Sequence, residues 1–175
     1  MTEPIVSPPD HGLTPEDFPG VAGVTQEGID ATVASIRRLA DWHVWPERVE
    51  VLTVDSPGDP LVLLPTKRLV EVEEVTVDGR VVSIGPEDWS PDGSLWISAL
   101  RPVYPGRPRR IRAKVRHGYS GPGDVLALVR SMVTRAAAPS QGYQVGRINV
   151  AAPGAVTPQS SEWRIIDQIR LGPIP

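Results

Sequence analysis

The sequence of 175 residues contains no cysteine, which excludes a disulfide framework and any metal held by thiolates. That suits synthesis in a reducing cytoplasm. No apolar run approaches the roughly 18–20 residues that a membrane-spanning helix needs. The opening MTEPIVSPPDHG has neither the basic segment nor the apolar core of a secretory signal. A soluble, unsecreted chain with no membrane contact is expected.

Catalytic and ligand-binding patterns are also missing. His11, His43 and His117 stand far apart, without HxH, HExxH or HxxxH spacing, so no metal site is expected. Instead, His43 and His117 are expected to pack where a helix meets a sheet, as hydrogen-bonded residues. There is no Gly-x-Ser-x-Gly elbow to expose a nucleophile. Ser120, in His117-Gly-Tyr-Ser-Gly121, reads as part of a turn leading into a helix. Neither a phosphate-cradling Gly-x-x-x-x-Gly-Lys-[Ser/Thr] nor a Gly-x-Gly-x-x-Gly occurs, which leaves no nucleotide cofactor to expect. Repeats with periods of 20–50 residues are absent, which argues against solenoids and propellers. The residues alone therefore point to a protein without catalytic, metal or cofactor chemistry.

Proline is plentiful, 20 of 175, about twice the usual ~5%. A residue that fixes φ and donates no hydrogen bond belongs in turns, strand edges and extended segments, so a compact all-helical chain is disfavoured. Charge is unevenly distributed. Residues 1–92 hold 18 of the 21 acids and 6 of the 18 bases, whereas residues 93–175 hold 3 acids and 12 bases. Such polarity either steers association between molecules or is neutralised inside one fold.

Along the chain, residues 1–24 carry five prolines and scattered apolar points at Ile5, Val6, Leu13 and Phe18, and read as an extended arm. Thr25 is a candidate N-cap for a helix with Glu27 in its first turn. Its apolar stripe is Ile29, Val33, Ile36, Leu39 and Ala40, and it runs to about Trp42 and stops before Pro46. Strand patterns follow at 49–53, 61–64, 70–77, 94–98 and 110–116. Glu73-Glu74 shifts the alternation as a bulge does, and Asp78-Gly79 marks a two-residue hairpin turn. Asp124 is a candidate cap for a helix with a stripe at Val125, Leu128, Val129, Met132, Val133 and Ala136, ended by Pro139. Residues 139–158 read as a long polar loop, and residues 160–170 as a short helix. The expected fold is α+β: a small helical bundle with an inserted antiparallel sheet or half-barrel. The expected division is an arm (1–24), a core of helix, inserted sheet and long helix (25–138), and a loop with a short helix (139–175).

Residues 101–116 contain seven Lys/Arg and no acid. Their alternation with Ile111, Ala113 and Val115 places Arg107, Arg109, Arg110, Arg112, Lys114 and Arg116 on a solvated or partner-facing strand. Contact with a DNA phosphate backbone is the competing reading. Tyr104 is the one aromatic residue within residues 101–116 and the strand itself has none, so base-stacking recognition is disfavoured. Trp42 and Trp45 close the first helix, where large aromatics serve as core or interface anchors.

Several pieces, in order, resemble the head-to-tail adaptor (head-tail connector) proteins of long-tailed actinobacteriophages. They are Ala40-Asp-Trp-His-Val-Trp-Pro46, Glu50-Val-Leu-Thr-Val-Asp55, Leu-Leu-Pro-Thr66, Val-Asp-Gly79, Val115-Arg-His-Gly-Tyr119 and Arg170-Leu-Gly-Pro173. The similarity spans about residues 25–175. It implies a structural virion protein at the neck, the head–tail junction, made in the host cytoplasm. It also implies a dodecameric ring of this chain between the portal protein and the next neck or tail protein, with double-stranded DNA passing through the lumen without sequence-specific contact. On that reading Trp42, Trp45, Tyr143, Trp163, Ile166 and Ile169 are candidate ring or portal contacts. The family offers no catalytic residues. This chain differs from its mostly helical smaller members by an enlarged sheet and a proline-rich arm. The alternatives are another neck ring, a stopper or tail terminator, or a small β-rich ligand-binding module with Trp89 and Trp96 exposed.

Overall fold

A computed structural model describes residues 10–56, 59–100, 110–138, 143–145, 148–150 and 157–172. The chain is α+β, and its sheets are not closed into a barrel. It divides into two compact units, one of Met1–Leu39 with Pro122–Gln168 and one of Ala40–Gly121 with Ile169–Pro175.

The β-rich unit follows from alternation. Strands β1 (Arg48–Val54), β3 (Leu69–Val77), β4 (Arg80–Val82) and β6 (Ile111–His117) form one antiparallel sheet in the order β1-β6-β3-β4. Strands β2 (Leu61–Leu63) and β5 (Ser94–Trp96) form a second. Strand β6 buries every second residue, so Ile111, Ala113 and Val115 face inward and Arg112, Lys114 and Arg116 outward. Inward residues of both sheets share one core: Leu52, Val75, Val77, Ile111, Ala113 and Val115 from the larger sheet, Val62 and Leu95 from the smaller. Each Val, Leu or Ile side chain buried to this extent contributes about 1.5–3 kcal/mol.

Turn chemistry sets the register. Asp78 and Gly79 have φ of +51° and +77°, the left-handed pair that joins β3 to β4 with the twist a hairpin needs. The pairing of β3 with β6 slips twice, once between Val72 and Glu74, where the doubled acid breaks the alternation. Gly118 has φ of +101°, and a Cβ there would meet the Pro46 carbonyl oxygen at 3.0 Å. A side chain at this position would be strained on both counts.

In the other unit, α1 (Gln26–Ala40) begins as its sequence indicates, with the Thr25 hydroxyl accepting from the Gly28 amide at 3.1 Å. Ile29, Val33, Ile36 and Ala40 are buried, with Thr32 among them donating to the Gly28 carbonyl. The helix ends two residues before the expected Trp42. Asp41 there takes φ of +66°, a left-handed cap that a short polar side chain tolerates. Helix α2 (Gly123–Ala137) starts one residue ahead of Asp124, with Pro122 at the cap position, so Asp124 sits in the first turn and not at the cap. Helix α3 (Ser160–Ile169) matches its expected extent.

Two segments are more structured than their composition suggests. Residues 10–24, which read as part of an extended arm, include a 3-10 turn at Pro15–Asp17 and buried His11 and Phe18. His11 Nε2 lies 2.9 Å from Asp30 Oδ1, Gln26 Nε2 donates to the Leu13 carbonyl, and Arg37 pairs with Asp10. These contacts give the segment enough partners to offset its ordering entropy. The expected loop 139–158 contains a hairpin of β7 (Tyr143–Val145) and β8 (Ile148–Val150). Residues 1–9 of the arm lie outside the described residues.

Candidate interaction surface

Of the six residues expected as ring or portal contacts, four are buried within the chain: Trp42 and Trp45, Ile166 and Ile169. Trp163 is half-buried, and nothing is described of the Tyr143 side chain. Trp42 shows why an aromatic at a helix exit turns inward. Its Nε1 donates to the Ile169 carbonyl oxygen at 2.7 Å, and its ring lies 6.3 Å from His117 and 6.0 Å from Tyr119. The indole has both an apolar bed and a partner for its one donor, the two things burial of a Trp requires.

His43 and His117 do come together, with ring centroids 5.7 Å apart. His43 Nε2 hydrogen-bonds the Pro46 carbonyl, just past the cis Trp45–Pro46 peptide. His117 Nε2 lies 3.1 Å from Glu50 Oε2, which also accepts from Arg48. Burial pushes the His117 pKa below its usual 6.5, although the neighbouring Glu50 pulls it up. Burial likewise acts to raise the Glu50 pKa, but hydrogen bonds from Arg48 and His117 outweigh it and hold the carboxyl below its usual 4.5. The cluster is therefore a neutral imidazole beside a carboxylate.

Both shifts have the same sign for stability. The unfolded chain protonates His117 near pH 6.5 and the folded chain resists, so stability falls as pH drops below 6.5, and Glu50 extends the loss below 4.5. The midpoint of urea unfolding should drop between pH 7 and 5 in the wild type and drop less in His117→Gln. Parallel pH profiles for the two proteins would rule this cluster out as the source.

The basic strand is less bare than its sequence. Lys114 Nζ lies 2.7 Å from Glu73, Arg116 lies 3.4 Å from Glu71, and Arg110 Nε donates to Asp78 at 2.8 Å. The acids come from β3 and its hairpin turn, 32 to 45 residues earlier in the chain. Arg112 differs, since its cross-strand neighbours are Thr53 on β1 and Thr76 on β3. Arg107 and Arg109 lie outside the described residues.

A further surface emerges only with the fold. On the outer face of the smaller sheet, Leu61 sits directly opposite Trp96 and Leu63 opposite Ser94. Leu61 is 46% exposed, Leu63 40% and Trp96 48%. On β1 the alternation presents Val49 and Val51 outward, each 46% exposed, while Leu52 is buried. Every exposed large apolar residue described belongs to these two sheets, and none to a helix. Apolar clusters of this kind on a folded surface mark contact sites. The signal that could have found it is Leu61-Val-Leu-Leu64, which is apolar on both faces of its strand. Of the two tryptophans named for a binding module, Trp96 is exposed, whereas Trp89 is partly buried against the core.

No protein-family model and no curated protein matches the sequence. Solved structures do match. A chain from the neck of a native gene transfer agent (GTA) particle with C12 symmetry is 18% identical, with a TM-score of 0.53 over 93% of this chain and 94% of that one. A chain from the neck of an empty GTA particle with C6 symmetry is also 18% identical, with a TM-score of 0.54 over 85% of this chain and 78% of that one. At this identity the likeness is one of fold.

Proposed function

We propose that this chain is a non-enzymatic structural protein of a phage-like virion neck. In this role it is a head-to-tail adaptor, forming a ring between the portal protein and the next neck or tail component, with duplex DNA passing through the lumen. The observation that supports the reading is the fold likeness to a chain from the neck of a GTA particle, a neck computed with C12 symmetry, which runs nearly end to end on both chains. A likeness confined to one domain would support only a shared module. The ordered sequence resemblance to actinobacteriophage adaptors points the same way from independent features.

The proposed partners are further copies of the chain, a portal and a downstream neck protein. For the DNA-facing role, Arg112 is the β6 cation whose cross-strand neighbours are threonines. A backbone contact of this type reads charge and not sequence. The exposed Trp96 favours a second reading, a small ligand-binding module. Quantitative mass spectrometry of purified particles separates the two. Close to one copy per portal subunit is expected, together with crosslinks to the portal. Absence from the particle, or hundreds of copies, would overturn the adaptor reading. Crosslinks only to neck components beyond the portal's own contacts would move the chain to a stopper or terminator.

A further inference from the structure

The β-rich unit presents two exposed apolar surfaces, and their borders carry opposite charge. On the β2–β5 face, Leu61, Leu63 and Trp96 are bordered by acidic segments. The stretches 55–66 and 81–100, which supply both strands and their flanking turns, contain Asp55, Asp59, Glu87, Asp88 and Asp92, with Lys67, Arg68 and Arg80 among the cations next to them in sequence. On the β1–β6 face, Val49 pairs across the sheet with Arg116, Val51 with Lys114 and Thr53 with Arg112. Outward positions of these two strands include no acid. The β3 carboxylates that reach Lys114 and Arg116 do so in half-exposed pairs, which bind weakly and exchange readily with another partner. The inner residues of both sheets share one core, so the two exposed faces are separate surfaces of the β-rich unit.

We propose that the β2–β5 face of one copy docks on the β1–β6 face of the next, with Trp96 as the central anchor and the acidic border of one face meeting the basic border of the other. The occupant, a second copy, rests on the ring reading above. Charge decides between geometries. The β2–β5 face placed against its own twin brings its acidic border residues together, which disfavours a two-fold dimer through that face. Opposite faces in contact make a heterologous interface, the type that repeats around a ring. An exposed tryptophan flanked by leucines is the kind of residue that dominates such contacts.

The test is sedimentation of the full purified chain from about 10 μM to about 1 mM, a range that covers weak specific contacts. Concentration-dependent association is expected. Trp96→Ser should weaken it about tenfold or more while leaving the circular-dichroism melt in place. Reversing the acidic border with Asp59→Lys and Asp92→Lys should abolish self-association, and so should reversing the basic border with Arg112→Glu and Lys114→Glu. Mixing the two reversed proteins should restore it, because each then offers the face the other lacks. Val51→Ser, at an exposed apolar position, provides an independent disruption of the second face. A wild-type chain that stays monomeric at the highest concentration overturns the proposal. So does association indifferent to Trp96→Ser, or reversed proteins that do not recover on mixing. Failure of the neck reading would appear in particle copy number and leave this association intact. Failure here would leave a portal-matched copy number standing.

Discussion

Trp42→Ala should cost about 3–5 kcal/mol of folding stability, the range for truncating a large buried aromatic. Trp42 is only 6% exposed, its indole nitrogen donates to the Ile169 carbonyl, and its ring is flanked by His117 and Tyr119. Two contributions add up: a cavity against two aromatic rings, and a carbonyl left without its donor. Trp42→Phe separates them. It keeps most of the volume and removes the donor, so about 1–3 kcal/mol is expected. Trp96→Ala is the matched control. The same residue type at 48% exposure should change stability by no more than about 0.5 kcal/mol. Urea titrations followed by far-ultraviolet circular dichroism measure all three. A Trp42→Ala protein within about 1 kcal/mol of wild type would show that the surrounding residues collapse into the space and that the cluster is not a fixed core.

Much of the β-rich unit is legible in the amino-acid sequence. Alternation along Ile111–His117 assigns its buried face, Asp78-Gly79 its hairpin, and the doubled acid at Glu73-Glu74 a break in register. These are local signals, and local sterics enforce them. The order β1-β6-β3-β4 is not readable in the same way, because it pairs β6 with segments that lie 34 to 69 residues earlier in the chain. For the same reason the basic strand looks unpaired in sequence, since Glu71 and Glu73 reach it only once β3 lies alongside. The hairpin of β7 and β8 escapes pattern reading because three-residue strands are shorter than the roughly four to eight residues of alternation that reveal a strand. The tryptophans illustrate a third limit. Sequence marks Trp42 and Trp45 as core or interface anchors and Trp89 and Trp96 as exposed residues of a binding module. Only the fold decides that Trp42 and Trp45 are buried, Trp89 partly buried and Trp96 exposed. The exposed apolar residues lie accordingly on the outer faces of the two sheets, while Trp42 and Trp45 at the helix exit are buried.

Glu162→Gln should remove about 3 kcal/mol of stability at neutral pH and almost none near pH 2. Glu162 ends the first turn of α3, and its carboxylate is buried among donors. Oε1 accepts from Ser131 and from Arg135 Nη1 at 2.8 and 2.9 Å, and Oε2 from Arg135 Nη2 and the Gln159 amide at 2.8 and 2.7 Å. The group thus does two jobs at once, closing the N-terminus of α3 as the third residue of a capping arrangement and tying α3 to α2 through a bidentate arginine. The Arg135 hydrogen bonds are the largest influence on it. With the Gln159 and Ser131 bonds they outweigh burial and lower its pKa from 4.5 to about 2. Since the folded pKa lies below the unfolded one, the contribution is complete above pH 4.5 and disappears as pH falls through about 2. Wild-type and Glu162→Gln stability curves should therefore run parallel above pH 5 and converge on acidification. Arg135→Met should lose a comparable amount by leaving the carboxylate buried without its cation, and the double variant should lose less than the sum. Additive losses, or curves that stay parallel down to pH 2, would mean that Glu162 acts only as a helix cap and that Arg135 is held to solvent.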